Sequence, residues 1–219
     1  VARWNEEEIR RVLSLYFIAG SVNVTRPLDN VLHEVINGGA TIFQFREKGE
    51  GALKTDQKEQ LARRLQKLCR GVGIPFIVND DVELAVKLNA DGLHVGQDDA
   101  ATEQARQAIG DGLLGVSAHT VNEAKEAVQA GADYLGVGPM YPTTSKDDAE
   151  SVRGPEFIRT LREAGILVPI VGIGGINISN ANDVIKAGAD GVSVISALAA
   201  EDEPQSVAEQ FLKQIKAQS

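Results

Sequence analysis

Gly188-Ala189-Asp190-Gly191-Val192-Ser193-Val194-Ile195-Ser196-Ala197 contains the unit from which the chain is built. A Gly-Ala-Asp turn that ends a helix runs into a short β-rich stretch, which then opens into small polar residues. The same slot is filled upstream by Gly39-Ala40-Thr41-Ile42, Ala90-Asp91-Gly92-Leu93 and Gly131-Ala132-Asp133-Tyr134. Glycine takes the left-handed conformation that terminates a helix, and alanine lets the turn pack against a barrel's lower rim. These repeats belong to the stability face and are assigned no chemistry.

Outward from this unit, β-rich runs alternate with longer amphipathic ones along the whole chain. Strands are predicted at 15–18, 41–46, 76–79, 92–95, 114–117, 134–137, 170–173 and 192–195, with helices between them at 28–37, 56–70, 82–88, 122–130, 155–163 and 179–186. Strict alternation implies parallel strands joined by right-handed crossovers. Eight repeats favour a closed α/β (β/α)8 TIM barrel over an open doubly wound sheet. Segment 5–13 predicts an extra N-terminal helix, and 207–216 a closing one. With 219 residues and no Pro/Ser-rich linker or charge block, a single domain over 1–219 is expected.

Hydrophobic content of 43% and charged content of 24% are ordinary for a globular chain. The net charge of −9 disfavours nucleic acid and anionic membranes as partners. A local cationic cleft for an anionic small molecule remains open, because a cleft field need not follow the global sign. The single cysteine, Cys69, excludes an intrachain disulfide framework and reads as a small buried hydrophobe. No apolar run approaches the roughly 18 residues of a membrane span and no stretch resembles a signal peptide, so the expected location is cytoplasmic.

In barrels of this kind, catalytic groups come from the C-terminal ends of the strands. The second strand ends Phe43-Gln44-Phe45-Arg46-Glu47-Lys48, and period two puts Gln44, Arg46 and Lys48 on one side. Two cations at a barrel mouth read either as a phosphate clamp or as a salt-bridge network with nearby acids. The third strand ends Asn79-Asp80-Asp81 and the fourth His94-Val95-Gly96-Gln97-Asp98-Asp99. One Asp of each pair is expected to cap the next helix, Asp81 being the clearest case. That leaves Asp80 and Asp99 as candidate Mg2+ ligands, with spacing alone not separating Asp99 from Asp98.

Ser117 and His119 end the fifth strand; Ser117 suits a phosphate oxygen and His119 an acid or base role. His94 is expected to pack inside the barrel with its ring satisfied, and His33 to lie on a surface helix. The sixth strand leads into Gly138-Pro139-Met140-Tyr141-Pro142-Thr143-Thr144-Ser145-Lys146, whose hydroxyls and lysine suit phosphate. Gly174-Gly175-Ile176 after strand seven and Ile195-Ser196-Ala197 after strand eight occupy the ordinal positions of the barrel phosphate site. A monophosphate cup and a separate cation-plus-carboxylate cluster suggest group transfer from a diphosphate to a phosphorylated acceptor.

These residues, in order from about Leu15 to Ala200, strongly resemble the thiamine-phosphate synthase family. The resemblance implies a transferase of thiamine biosynthesis that joins an aminopyrimidine diphosphate to a thiazole phosphate, releasing pyrophosphate, with Mg2+ as cofactor. It implies that Gln44, Arg46, Lys48, Asn79, Ser117 and Lys146 contact the pyrimidine diphosphate, with Arg46, Lys48, Ser117 and Lys146 acting in catalysis. Asp80 and Asp99 would bind Mg2+. Thr143, Ser145, Gly175, Ile195 and Ser196 would hold the thiazole phosphate; Ser145 stands where family members often carry Thr, and the hydroxyl is kept. In the family's mechanism pyrophosphate leaves first and the thiazole nitrogen attacks the resulting cation. Two rivals are a thiazole tautomerase, working through His119 without metal, and a non-catalytic phosphate-ligand sensor.

Overall fold

The computed structural model describes residues 4–97, 99–144 and 151–216, without the side chains of Asp99 and Ala100. Eight parallel strands close into a barrel in sequence order: β1 Leu15–Ala19, β2 Ile42–Phe45, β3 Phe76–Asn79, β4 Gly92–Val95, β5 Leu113–Ala118, β6 Tyr134–Val137, β7 Ile170–Ile173 and β8 Gly191–Val194. Helix α1, Glu6–Val12, precedes β1. The crossovers are α2 Leu28–Asn37, α3 Thr55–Val72, α4 Val82–Leu88, α5 Asp99–Ile109, α6 Val121–Gln129, α7 Glu156–Glu163 and α8 Ala181–Lys186. After β8 come a single turn, α9 Ser196–Ala199, and the closing helix α10, Pro204–Lys216. This is the (β/α)8 barrel with an extra N-terminal helix that the alternation predicts.

Side-chain alternation divides the core in two. Outward residues such as Phe17, Phe43, Val78, Leu93, Val116 and Leu135 are buried with the inner faces of the helices. Inward residues Tyr16, Ile18, Ile42, Ile77, Leu113, Tyr134 and Val171 form a second cluster. Ile9 and Leu13 join that inner cluster, so α1 plugs the lower end of the barrel. Helix α1 starts cleanly because Asn5 caps it: its side chain accepts from Glu8 N–H, and the Glu8 carboxylate accepts from Asn5 N–H at 3.0 Å. Helix α10 closes the outer ring against α2 and α8.

The repeated turns act as clamps. Asp190 N–H donates to Ile170 C=O, and its carboxylate accepts Ile170 N–H at 2.8 Å, tying the foot of β8 to that of β7. Asp133 does the same to Leu114, Asp91 to Phe76, and Thr41, through its hydroxyl, to Leu15. Gly131 and Gly188, with φ of 97° and 108°, supply the left-handed residue that ends the helix before two of these clamps. Arg106 and Arg162 brace them, each donating to one clamp carboxylate and to carbonyls of the neighbouring turns. Arg10 of α1 also pairs with Asp190.

Predicted strand ends shift by a residue for physical reasons. Thr41 is a clamp rather than a strand residue, and Ile195 leaves β8 to open α9, a turn that periodicity is too short to register. Cys69 is fully buried, and desolvation pushes its thiol up to about 12. Among the described residues no helix is long and apolar enough to cross a membrane.

Asp190→Ala strands the Ile170 N–H and leaves Arg10 and Arg162 without their shared carboxylate. Urea denaturation is expected to show a loss of about 2–4 kcal/mol. A loss below about 0.5 kcal/mol, the usual range for surface substitutions, would show that the clamp is dispensable.

Candidate active site

A cavity of about 680 Å³ opens at the C-terminal mouth of the barrel. Its size lies within the roughly 300–1,000 Å³ of ligand sites. Every strand reaches it directly or through its following loop except β1 among the lining residues. One wall holds Arg46, Lys48, Asn79, Asp80, Gln97, Ser117 and His119; the other holds Thr143, Gly174, Gly175, Asn177 and Ser196.

Arg46 follows β2 directly, and its backbone N–H still donates to Ala19 C=O, so its side chain keeps the inward direction set by the strand. It is 8% exposed. Lys48 lies two residues on, with Nζ 3.6 Å from Asp80 Oδ2. Glu47, between them, turns the other way and accepts hydrogen bonds from Ser21 N–H at 2.8 Å, the Ser21 hydroxyl and Leu53 N–H at 2.8 Å. It thereby pins the loops after β1 and β2 together and aims its two cationic neighbours. Nothing in the residue pattern signals this role, since a carboxylate between cations also reads as a simple charge partner.

Asp80 has φ of 59°, in the left-handed region. Its N–H donates to His94 C=O at 2.8 Å, which continues the β3–β4 ladder and holds the turn. The half-exposed carboxylate then faces the cavity, while Asp81 caps α4 by accepting from Leu84 N–H and pairs with Lys58 at 2.6 Å. The two adjacent acids divide as expected. Burial would raise the Asp81 carboxyl, but the Lys58 and Leu84 hydrogen bonds outweigh it and hold it below the usual carboxylate range.

Gln44 is 2% exposed and lies beneath the cavity rather than on its wall; its amide donates to Tyr16 Oη at 2.9 Å. His94 packs inside the barrel with both ring nitrogens engaged, by Tyr134 Oη and Ser117 Oγ, and also reaches the cavity. His33 is exposed on α2. His119 lines the cavity, and its backbone N–H donates to Glu123. Ser145, Lys146 and Asp98 lie outside the described residues, as does the Asp99 side chain.

The glycine turn after β7 is constrained by the loop that follows β6. A Cβ on Gly175 would lie 2.6 Å from Pro142 O, and one on Gly174 2.7 Å from the Pro139 ring. The β6 loop runs along β7 here, with Met140 N–H donating to Ile173 C=O at 2.8 Å and Tyr141 N–H to Gly174 C=O at 3.0 Å. The two glycines thus dock the segment carrying Thr143 onto the β7 loop. Both Gly175 and Ser196 line the cavity, and Ile195, 8% exposed, lies between β8 and that turn.

Sequence reading missed Asn177 and Ser193 on the wall. Ser193 is 2% exposed, its hydroxyl has no hydrogen-bond partner among the described residues, and it lines the cavity. Its inward position on β8 follows from period two, but a serine inside a valine-rich strand carries no other signal. For a metal, the wall offers the hard oxygen of Asp80, with no cluster of three acidic, His or Cys groups among the described residues. That donor set fits Mg2+, which binds through one or two carboxylates and keeps waters for substrate phosphates.

A family model described as Thiamine monophosphate synthase matches residues 15–198. A Geobacillus thermodenitrificans protein named Thiamine-phosphate synthase is 59% identical over 208 residues, covering 95% of this chain and 94% of that one. One of the same name from Bacillus velezensis is 53% identical over 216 residues, covering 99% and 96%. Among solved structures, Thiamine phosphate pyrophosphorylase from Pyrococcus furiosus superposes with a TM-score of 0.85 at 33% identity, covering 96% of this chain and 98% of that one.

Asp81→Ala is expected to cost about 1 kcal/mol of stability through the lost cap. Because the folded carboxyl is depressed, its contribution is present above about pH 4 and fades as acidification protonates it. Urea midpoints of wild type and variant should therefore differ at pH 7 and converge at low pH.

Proposed function

Because the chain belongs to the thiamine monophosphate synthase family, we propose that it condenses an aminopyrimidine diphosphate with a thiazole phosphate. The products are thiamine phosphate and pyrophosphate. The observation that carries this reading is a single cavity bearing two anion-suited walls. Arg46, Lys48 and Asp80 stand on one, and the Gly174-Gly175 turn with Ser196 and Thr143 on the other. Such a cavity brings a diphosphate and a phosphorylated acceptor together, so that positioning contributes directly to the rate.

In the reaction the bond between the pyrimidine methylene carbon and the diphosphate oxygen breaks, and its electron pair leaves with pyrophosphate. The thiazole nitrogen then gives its lone pair to the methylene carbon, forming the new C–N bond. No proton has to move to a protein base. Arg46 and Lys48 stabilise the negative charge that develops on the leaving oxygen, a role that often dominates catalysis. The Ser117 hydroxyl and the Asn79 amide orient the same substrate, and Lys146 joins the cations. Mg2+, held by Asp80 and Asp99, would supply Lewis-acid neutralisation of the leaving group. Gln44 supports the floor of the pyrimidine site from below.

Purified protein given both substrates should form thiamine phosphate only with Mg2+ present, followed as its fluorescent thiochrome derivative. Absence of product from folded protein would sink the synthase reading, and product formation untouched by a chelator would sink the metal role. Asp80→Ala should lower turnover by about 10-fold to 100-fold and weaken the Mg2+ dependence.

The docked glycine turn adds a separate expectation. Gly175→Ala should displace the Thr143 segment and raise KM for the thiazole phosphate about 10-fold or more, with a smaller effect on KM for the diphosphate. Steady-state kinetics with each substrate varied in turn will separate the two.

A further inference from the structure

A run of hydrogen bonds crosses the barrel beneath the cavity, linking five strands. Gln44 Nε2 on β2 donates to Tyr16 Oη on β1 at 2.9 Å, and Tyr16 Oη lies 2.8 Å from Tyr134 Oη on β6. Tyr134 Oη is 3.1 Å from His94 Nδ1 on β4, and His94 Nε2 is 3.1 Å from Ser117 Oγ on β5. The run begins in the dry interior, where Gln44, Tyr16 and Tyr134 are buried, and ends on the cavity wall at His94 and Ser117.

The chemistry of the first donor sets the direction of every later bond. An amide nitrogen donates only, so Tyr16 oxygen accepts and its single hydrogen goes to Tyr134. Tyr134 oxygen accepts from Tyr16, so its own single hydrogen has His94 Nδ1 as the acceptor within reach. A neutral imidazole that accepts at Nδ1 carries its proton on Nε2 and donates there, to Ser117 Oγ. The hydrogen of Ser117 is then left for another acceptor.

We propose that Gln44, Tyr16, Tyr134 and His94 form a positioning relay that holds His94 as its Nε2–H tautomer and presents the Ser117 hydroxyl to the cavity as a hydrogen-bond donor to an anionic substrate oxygen. With the opposite polarity Ser117 would spend its hydrogen on the imidazole and turn lone pairs toward the anion. Burial pushes the ionisation of both phenols up, so both stay neutral. The barrel also keeps room for the relay. A Cβ on Gly115 would lie 2.1 Å from Tyr134 Cζ and 2.4 Å from His94 Nδ1, and one on Gly136 2.9 Å from His94 Cε1. The substrate named for Ser117 rests on the synthase reading; the tautomer does not.

The first test is the His94 tautomer in ligand-free, 15N-labelled wild-type protein, read from long-range proton–nitrogen correlations of the imidazole. A proton on Nε2 is expected, and a proton on Nδ1 would overturn the relay. The second is a kinetic cycle of Tyr134→Phe, Ser117→Ala and the double variant. Tyr134→Phe should lower kcat/KM for the diphosphate about 10-fold, leave KM for the thiazole phosphate within about twofold, and add nothing in the Ser117→Ala background. Additive losses would show that Tyr134 does not act through Ser117, and would overturn the proposal. Should Tyr134→Phe fail to fold, the wild-type tautomer decides alone. That measurement needs no turnover, so it stands apart from the wild-type product assay that tests the synthase reading.

Discussion

Thr41, Asp91, Asp133 and Asp190 each close the same pair of hydrogen bonds at the foot of the barrel, with a residue at the start of the preceding strand. The strands are thereby locked in twos, β1 with β2, β3 with β4, β5 with β6 and β7 with β8. Register in a sheet has a period of two, so a slip of one residue would carry every inward side chain to the helix side. The clamps lie at the end of the molecule farthest from the cavity, yet they decide which residues face it. Arg106 and Arg162 strengthen this frame by holding the turn carbonyls that the helix ends leave free.

Along the barrel axis the inward residues change from apolar to polar to charged. Ile9 and Leu13 of α1 seal the lower end with Ile42, Ile77, Leu113 and Val171. A middle layer carries Tyr16, Gln44, Tyr134 and His94, polar groups joined in a run of hydrogen bonds that ends at Ser117. Only at the mouth do Arg46, Lys48 and Asp80 appear. The order follows from solvation: an unpaired polar group costs several kcal/mol in a dry interior, and a charge is tolerated only near water or a counter-charge.

The cation cluster meets both an internal acid and the cavity. Lys48 pairs with Asp80, as an internal salt-bridge network requires, and both line the cavity with Arg46, as an anion clamp requires. An ion pair this exposed adds little to stability. In the proposed reaction its members would exchange one another for a metal ion or a phosphate at small cost. Net charge, at −9, says nothing of this local arrangement.

Periodicity and turn chemistry by themselves determined the eight strands, every crossover helix except α5, the extra N-terminal helix and the strand ends that supply Arg46, Lys48, Asn79, Asp80 and Ser117. These are local properties, written in residue spacing and in the conformations glycine and aspartate allow. The division of labour between Asp80 and Asp81 was legible for the same reason, since capping needs only an acid beside a helix start. What the tertiary structure alone decided are contacts between residues far apart in sequence. Gln44 lies on the inward face that period two predicts, but only the barrel's depth puts it under the cavity. Glu47 became a strut between loops, Gly174 and Gly175 a docking surface for the β6 loop, and Tyr16, Tyr134 and His94 a connected layer. Pair contacts across a closed sheet depend on register and strand order, and neither is a property of any single stretch of sequence.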